Sequence, residues 1–327
     1  MTVTTTPATS TTTTLRPRYE GSNICTWIGF KHVNYLVEEA VLDWFRQRGT
    51  PARDLFEVHG LGLDLVDLDT RILHALHMDD EVEATVTPVD GDDDRLRFTV
   101  VVHVDRPGGR LKAVTSKVAV VLRTDAWHDA PTDPPPAAYA RAVVGAPPAG
   151  RRVELADADA ARLEQARPGG RGTVTSDVPA ALRSGTGPAV AWTWRTPYPY
   201  CHFTVRAQLS GLLRNMEEVV DLFLAERGAS IRTLLDEQAW IPVVPHSRVT
   251  WTGELLMEET AVTVFEVEQV FKDLTYTARC DTWVHRDGGL ELVATGRITH
   301  GYAVIEGRSA WSLVPFDARL LAAVGAP

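Results

Sequence analysis

The chain has 327 residues, of which 44% are hydrophobic and 23% are charged, so it is long enough for one large domain or two average ones. Its formal net charge is -10 and its pI is near 5.5. Binding to nucleic acid needs a clustered positive surface, which no window of this sequence supplies, so neither DNA nor RNA is an expected partner.

The N-terminal segment is dominated by threonine and lacks an apolar stretch. Such a segment cannot bury enough apolar surface to offset its loss of conformational entropy, so residues 1–14 are predicted to form a disordered tail. No run of roughly 18 apolar residues occurs, and no membrane partner is expected. Cys25, Cys201 and Cys280 show no metal-site spacing. We therefore expect no metal, no cofactor and a reducing, cytoplasmic location.

The sequence contains an internal repeat with an offset of 179 residues, in which Val37–Gly49 aligns with Met216–Gly228. Glu38 falls on Glu217 in this alignment. The same offset aligns further residues: Arg16 with Arg195, Tyr19 with Tyr198, Arg53 with Arg232, Leu55 with Leu234, and Met78 with Met257. One register kept over about 60 positions indicates a tandem duplication.

Each copy is predicted to contain an extended lead-in, one long helix, a loop and then long strands. In the first copy the strands are predicted near Arg71–His77, Glu81–Thr87, Arg95–Val104 and Arg110–Arg123. In the second copy they are predicted near Arg248–Leu256, Thr260–Phe271, Leu274–Arg286 and Leu290–Ile305. A helix followed by strands, with no second helix to make parallel crossovers, predicts an α+β fold in which an antiparallel sheet wraps one helix.

The segment between the copies is rich in proline, glycine and alanine. Residues 125–187 are therefore predicted to be a partly mobile linker, in which only Val153–Ala166 has a helical pattern. This places an N-terminal domain at residues 15–124 and a C-terminal domain at residues 188–327.

One helix wrapped by a long antiparallel sheet, duplicated in tandem, resembles the hotdog superfamily in its double-hotdog form. The resemblance also rests on the lead-in and helix Tyr19–Ala40 and on the ending Val314–Arg319. It implies a thioesterase-like enzyme that acts on an acyl group carried by coenzyme A (CoA) or an acyl carrier protein, in specialised or polyketide metabolism. It also implies that two such chains can associate as a homodimer of double hotdogs.

Thioesterase-type members of this superfamily usually carry a catalytic Asp in the lead-in. In a gap-free match, the two Asp positions fall on Gly21 and Asn23 in the first copy, and on Tyr200 and His202 in the second. Neither copy has the carboxylate, and the visible His-Val-Asn that begins at His32 is out of register. Two alternatives to hydrolysis therefore stay open: dehydration, cyclisation or isomerisation of a carrier-bound polyketide intermediate, and non-catalytic acyl binding.

Four residues are candidates for catalysis. Helical geometry places Glu38 and Glu217 within apolar arcs, where the pKa of a carboxyl rises and suits a general acid or base, although an ion pair is the alternative. His202 lies in an extended segment where the family places an active-site group, and a neutral imidazole can accept a proton. Its counterpart Asn23 could orient a water or donate to a thioester oxygen, or could only satisfy a local turn.

Four further residues are candidates for substrate binding. Trp27 could line an acyl pocket or belong to the core, and Arg206 could hold a carboxylate or phosphate or form a surface pair. Tyr200 occupies one of the family's Asp positions. His32 is placed on the polar face of the helix, where a solvated histidine is the alternative. The backbone amides at the start of the helix can themselves bind a thioester oxygen.

Overall fold

The computed structural model describes residues 9–91, 93–125, 128–165, 167–308 and 310–325. The chain divides into two compact units. The first unit ends at Pro147 and also includes His202–Thr204, whereas the second comprises Pro148–Cys201 and the chain from Val205 onward. Each unit contains one long helix and an antiparallel sheet, which confirms the predicted α+β class.

In its described residues the first unit contains one long α-helix, one short α-helix and six strands. Its elements are β1 (Thr11–Leu15), α1 (Phe30–Arg46), α2 (Ala52–Glu57), β2 (Leu61–Ile72), β3 (Val82–Val89), β4 (Leu96–Arg106), β5 (Gly109–Thr124) and β6 (Val143–Val144). The strands pair antiparallel in the order β1-β3-β4-β5-β2, and β6 runs parallel to β5.

The second unit repeats this order with additions at both ends. It contains β7 (Arg152–Val153), α3 (Asp157–Glu164), β8 (Arg167–Gly169), β9 (Gly172–Thr175) and β10 (Ala189–Arg195). The short strands β11 (Cys201–His202) and β12 (Arg206–Ala207) follow β10 in the chain. Then come α4 (Leu209–Glu226), α5 (Ile231–Gln238), β13 (Trp240–Trp251), β14 (Thr260–Phe271), β15 (Thr275–Arg286), β16 (Gly289–Glu306), β17 (Ala310–Val314) and α6 (Ala318–Val324). The sheet order is β13-β16-β15-β14-β10-β9-β8, and β7 and β17 also pair with β16.

The long helices are held by apolar faces that lie on the sheets. In the first unit the Trp44 ring contacts the Phe98 ring edge to face, with 4.8 Å between the ring centres. In the second unit the Phe223 and Phe265 rings are 4.8 Å apart. Strand β4 alternates buried and partly exposed residues along its length, which is the pattern of a strand with one face on a core.

A buried asparagine ties each long helix to its sheet. Thr70 Oγ donates to Asn34 Oδ1 at 2.6 Å, and Asn34 Nδ2 donates to the Phe30 carbonyl at 3.0 Å. In the second unit Thr263 Oγ donates to Asn215 Oδ1 at 2.8 Å. Because a buried polar group is costly unless it is bonded, these contacts fix the position of each helix against its strands.

The predicted linker is divided between the two units: its part up to Pro147 belongs to the first unit, and its part from Pro148 onward belongs to the second. Within residues 125–187, β9 extends the sheet next to β10, and the helical stretch is α3. Leu163, Val178 and Leu182 pack in one buried cluster with Trp283 of β15. Strand β14 is buried at seven consecutive positions, so side chains on both faces of the sheet are covered there. The residues from Leu163 to Leu182 in this cluster cover one of the two faces.

Three other boundaries differ from the prediction. Strand β1 pairs with β3, with Thr11 opposite Val86, so the predicted disorder is wrong from Thr11 onward; residues 1–8 lie outside the described part. Threonine is β-branched and suits an edge strand, a preference that outweighs its polarity here. The first long strand of each sheet was also placed wrongly: it spans Leu61–Ile72 rather than Arg71–His77 in the first unit, and Trp240–Trp251 rather than Arg248–Leu256 in the second. Helices α2 and α5 occupy the predicted loops.

At the start of each long helix a glycine packs against a large side chain, and the two copies place the glycine on opposite sides of this contact. In the first unit a Cβ atom at Gly21 would lie 2.8 Å from His32 Cβ. In the second unit a Cβ atom at Gly211 would lie 2.9 Å from Tyr200 Cβ. Under the repeat offset Gly21 aligns with Tyr200, and His32 aligns with Gly211. His32 is therefore buried against the lead-in, which corrects its predicted place on a solvated face.

We predict that Gly21→Ala and Gly211→Ala each destabilise the protein by about 1–3 kcal/mol, because the added methyl group overlaps a side chain close to its own backbone. Gly108→Ala is the control, since nothing lies within 4 Å of its added Cβ atom. Thermal unfolding measures the difference. Unfolding midpoints equal to the Gly108→Ala midpoint would show that the close packing is not a constraint.

Glu266 is a buried carboxylate that holds the chain just before β10. Its Oε2 accepts from the Ser184 N–H at 2.8 Å and the Gly185 N–H at 3.0 Å, and its Oε1 accepts from the Arg183 guanidinium at 2.8 Å. Burial by itself raises the pKa of Glu266, but the hydrogen bonds from Ser184 and Arg183 outweigh it and lower the pKa overall. The stability that this carboxylate contributes is therefore present above pH 4.5 and is lost as the pH falls below it.

We predict that Glu266→Gln lowers the free energy of unfolding by about 2–4 kcal/mol at pH 7, because it leaves the Arg183 charge without its buried partner. Glu268→Gln on the same strand removes an exposed pair with Arg297 and should cost less than about 1 kcal/mol. Urea denaturation of both variants tests this. An equal loss of unfolding free energy in the two variants would mean that the buried contacts of Glu266 do not stabilise the fold.

Candidate functional site

The two long helices begin without a side-chain cap. Gly29 precedes α1 and Gln208 precedes α4, and neither first turn contains an acidic residue. In contrast, Ser230 and Asp317 cap α5 and α6 by accepting backbone N–H groups. No side chain thus caps the positive end of either long helix, where a thioester oxygen can be stabilised as it gains negative charge.

Glu38 lies two turns into α1, at the edge of the apolar face of the helix. The residue is half-buried. Burial raises the pKa of its carboxyl to about 7, the nearby His202 opposes this rise, and Glu39 adds to it. A carboxyl that titrates near neutrality can both accept and release a proton under ordinary conditions, which is what a general acid or base requires.

His202 comes from a distant part of the chain but belongs to the first unit by its contacts. Its Nε2 lies 3.5 Å from Oδ1 of Asp64 on β2, and the two side chains are 29% and 16% exposed. This distance suits an ion pair when the imidazole is protonated, and it is longer than a good hydrogen bond. The histidine therefore has a carboxylate partner as well as the electrostatic interaction with Glu38.

The turn that follows His202 is tight. Phe203 has a φ of +57°, in the left-handed region that non-glycine residues rarely adopt. The Thr204 N–H donates to the His202 carbonyl at 2.6 Å, and the Phe203 ring packs 4.9 Å from the ring of Phe56 on α2. Strained backbone of this kind persists only where its surroundings hold it, and here the aromatic contact does so.

Asp64 is a residue that the sequence analysis missed. It lies in the part of β2 that was predicted to be loop, and the repeat offset places a valine, Val243, at the equivalent position. Only the alternation of Leu61, Leu63 and Leu65 around it could have shown the strand. Nothing in the repeat could have singled out its carboxylate.

Two predicted catalytic residues, Asn23 and Glu217, are exposed. Asn23 is exposed, and its amide oxygen accepts the Ile24 N–H at 2.8 Å, which is the local turn role. Glu217 is exposed, which corrects its predicted burial. It occupies the same edge of the apolar face as Glu38. An edge position is buried only where another part of the chain covers it, and in the first unit His202 lies near Glu38.

The four residues predicted to bind substrate are all buried. Trp27 forms a backbone bridge and an edge-to-face ring contact with His77, and Arg206 lies at the start of β12. The Tyr200 hydroxyl accepts from the guanidinium of Arg171. These contacts are packing interactions, and a role for the four residues in binding substrate stays a prediction.

Neither a metal site nor a membrane helix is found in the described residues. Across residues 9–325, apart from the gaps stated above, no group of three or more His, Cys, Asp or Glu side chains is placed to hold a metal ion. Within the same ranges no helix is long and apolar enough to cross a membrane.

No family model and none of the curated proteins match the sequence. The structure, in contrast, matches three thioesterases along most of its length. A protein from Lactobacillus plantarum assigned as an oleoyl thioesterase has a TM-score of 0.58 at 10% identity, over 92% of this chain and 98% of that chain. The 12:0-ACP thioesterase from Umbellularia californica has a TM-score of 0.55 at 12% identity, over 93% and 98%. An acyl-ACP thioesterase from Bacteroides thetaiotaomicron has a TM-score of 0.52 at 12% identity, over 89% and 97%.

The chain has the hotdog fold of these thioesterases. This confirms the resemblance inferred from the order of helix and strands in the sequence. At 10–12% identity the similarity concerns the fold. The chemistry of this hotdog protein has to be argued from its own side chains, and Glu38, His202 and Asp64 are the polar group that the first unit brings together.

We predict that the carboxyl of Glu38 titrates near pH 7, and that its two charged neighbours shift the pKa in opposite directions. His202→Gln should raise the pKa, because it removes a positive charge that stabilises the carboxylate. Glu39→Gln should lower it, because it removes a negative charge. Carbon-13 NMR of labelled glutamate follows the titration, with Glu38→Gln to assign the signal. A wild-type midpoint between about pH 4 and 5 would contradict the site.

Proposed function

We propose that the protein is a tandem double hotdog that hydrolyses an acyl thioester carried by CoA or an acyl carrier protein. The internal repeat and the matching order of elements in the two units support the tandem arrangement. The similarity to acyl-ACP thioesterases over about nine tenths of both chains supports the reaction class.

The observation that carries the proposal is the carboxyl of Glu38, whose pKa is raised by burial to about 7 in the neighbourhood of a histidine. In its ionised form Glu38 takes a proton from water, whose oxygen attacks the thioester carbonyl carbon. The uncapped start of α1 stabilises the oxyanion that forms. The carbon–sulfur bond then breaks, and the thiolate receives the proton from Glu38 or from the protonated His202. In this scheme the carboxylate of Asp64 lies 3.5 Å from Nε2 of His202 and pairs with the imidazolium.

A second candidate uses the same pair for lyase chemistry. Neither lead-in has a carboxylate at the family's Asp position, whereas Glu38 and His202 provide an acid and a base. Such a pair can remove a proton from the α-carbon of a carrier-bound polyketide intermediate and protonate a departing hydroxyl, which gives dehydration or, with another acceptor, cyclisation. Acyl binding without chemistry is the third candidate.

We also propose a cytoplasmic location for this activity. Cys25, Cys201 and Cys280 are free thiols in the structure. Free thiols are typical of a reducing compartment, which supports this location.

We predict that the protein releases free thiol from members of an acyl-CoA and acyl-carrier panel, and that Glu38→Gln and His202→Ala each lower kcat by about 10²- to 10⁴-fold. With Glu38 as the base, kcat should rise as the pH increases through about 7. Thiol release is measured with a colorimetric reagent.

Glu217→Gln is the matched control, because Glu217 holds the equivalent position in the second unit and is exposed. It should keep wild-type activity. Full activity in Glu38→Gln would overturn the mechanism. If no thiol appears but mass spectrometry shows a changed acyl group still attached to its carrier, the lyase candidate replaces hydrolysis. If the acyl groups are unchanged, acyl binding without chemistry is the candidate that remains.

A further inference from the structure

A row of four aromatic rings begins at His202 in the first unit. The centre of the His202 imidazole lies 4.5 Å from the centre of the Phe203 ring, which lies 4.9 Å from the ring of Phe56 on α2. Phe56 also contacts the His128 ring edge to face, with 5.6 Å between the ring centres. Because His202, Phe203 and Phe56 are each partly exposed, these rings keep surface that a ligand can reach.

The backbone turn at Phe203 brings its ring next to His202. Neighbouring residues of an extended strand point to opposite faces, so the two side chains would separate if the strand continued. The φ of +57° at Phe203 turns the chain instead, and its ring comes to lie beside the imidazole. Glycine adopts this conformation at lower cost, so a phenylalanine at this position points to a use for the ring itself.

The other copy has aliphatic side chains at the positions of both phenylalanines. The repeat offset aligns Phe56 with Leu235 and Phe203 with Ile24. Leu235 lies in α5, the counterpart of α2, and is also partly exposed. An aliphatic side chain thus suffices for packing at the helix position. The two rings, in contrast, belong to the unit that contains the candidate acid–base pair.

The core beneath α1 is filled by large side chains. Val41, which follows Glu38 by one turn, exposes no surface, and Trp44 and Phe98 expose at most 1% of theirs. Protein interiors are close-packed and hold few voids larger than a water molecule. The partly exposed rings beside His202 therefore offer an acyl group apolar surface that the filled core does not.

We propose that Phe203 and Phe56 form one wall of the acyl site and select an aromatic acyl group. An aromatic ring gains edge-to-face or offset contacts with these two rings beyond the area that it buries, whereas a saturated ring of the same carbon number gains only the burial. This role rests on the proposed function, because Glu38 and His202 are the groups that hold the thioester beside the rings.

Isothermal titration calorimetry of the full chain tests this selection with two unreactive thioethers, S-(2-phenylethyl)-CoA and S-(2-cyclohexylethyl)-CoA. They share one carbon skeleton and differ in the aromaticity of the ring. The wild type should bind the phenyl compound about two- to tenfold more tightly. Phe203→Leu and Phe56→Leu should each lower this ratio, and the double variant should bring it close to one. Phe271→Leu, which changes an exposed phenylalanine of β14, is the matched control and should keep the wild-type ratio.

The proposal is overturned if the wild type binds neither thioether, binds both equally or prefers the cyclohexyl compound. A wild-type ratio in the folded double variant also overturns it. Circular dichroism shows whether each variant is folded, and the single variants decide if the double variant is not.

Thiol release from phenylacetyl-CoA is a separate measurement. Selective binding of the phenyl thioether without thiol release contradicts hydrolysis and supports the aromatic wall. Thiol release without selective binding contradicts the aromatic wall and supports hydrolysis.

Discussion

In each unit one face of a long helix packs on an antiparallel sheet, and the side chains at the middle of that face, such as Val37 and Trp44, expose no surface. A polar side chain at such a position is costly unless it is hydrogen-bonded. Asn34 and Asn215 are accommodated because a strand threonine donates to each of them. The position of the helix against the strands then determines which residues come to the edge of its apolar face, and Glu38 is one of them.

The two copies show how the same framework diverges at its edges. The centre of each helix keeps its apolar residues, whereas the lead-in contact is reversed in size between Gly21 with His32 and Tyr200 with Gly211. Glu38 is covered and Glu217 is exposed. A duplicated fold needs the helix and sheet in both copies, but it needs the candidate acid and base in only one. One difference thus lies in the close packing of the lead-in against the helix, and the other lies at the edge of the apolar face of the helix.

Much of the fold could be predicted because it depends on local patterns. The repeat located both long helices, and the alternation of residues gave β14 its observed bounds, Thr260–Phe271. The strand β1 was missed because its threonine-rich sequence has no apolar pattern. It forms a strand by pairing with β3, which lies far from it in the sequence. The cover that residues 148–187 form on the second sheet was missed because proline and glycine indicate loops, whereas the few apolar residues that dock there are scattered.

Less of the candidate site could be predicted. Helical geometry identified Glu38, but it gave Glu217 the same prediction, because the burial of an edge residue depends on chain far away in sequence. His202 was found from its place in the lead-in, and its partner Asp64 was not, because a contact between residues 138 positions apart in the sequence leaves no local trace. The segment His202–Thr204 completes the first unit although most of that unit lies before Pro147. During synthesis, at roughly 5–20 residues per second, the ribosome therefore exposes Glu38 about 8–30 seconds before the histidine that accompanies it. The nascent first half carries a hotdog helix without its candidate acid–base pair, and it stays chemically incomplete until the second half has begun to emerge.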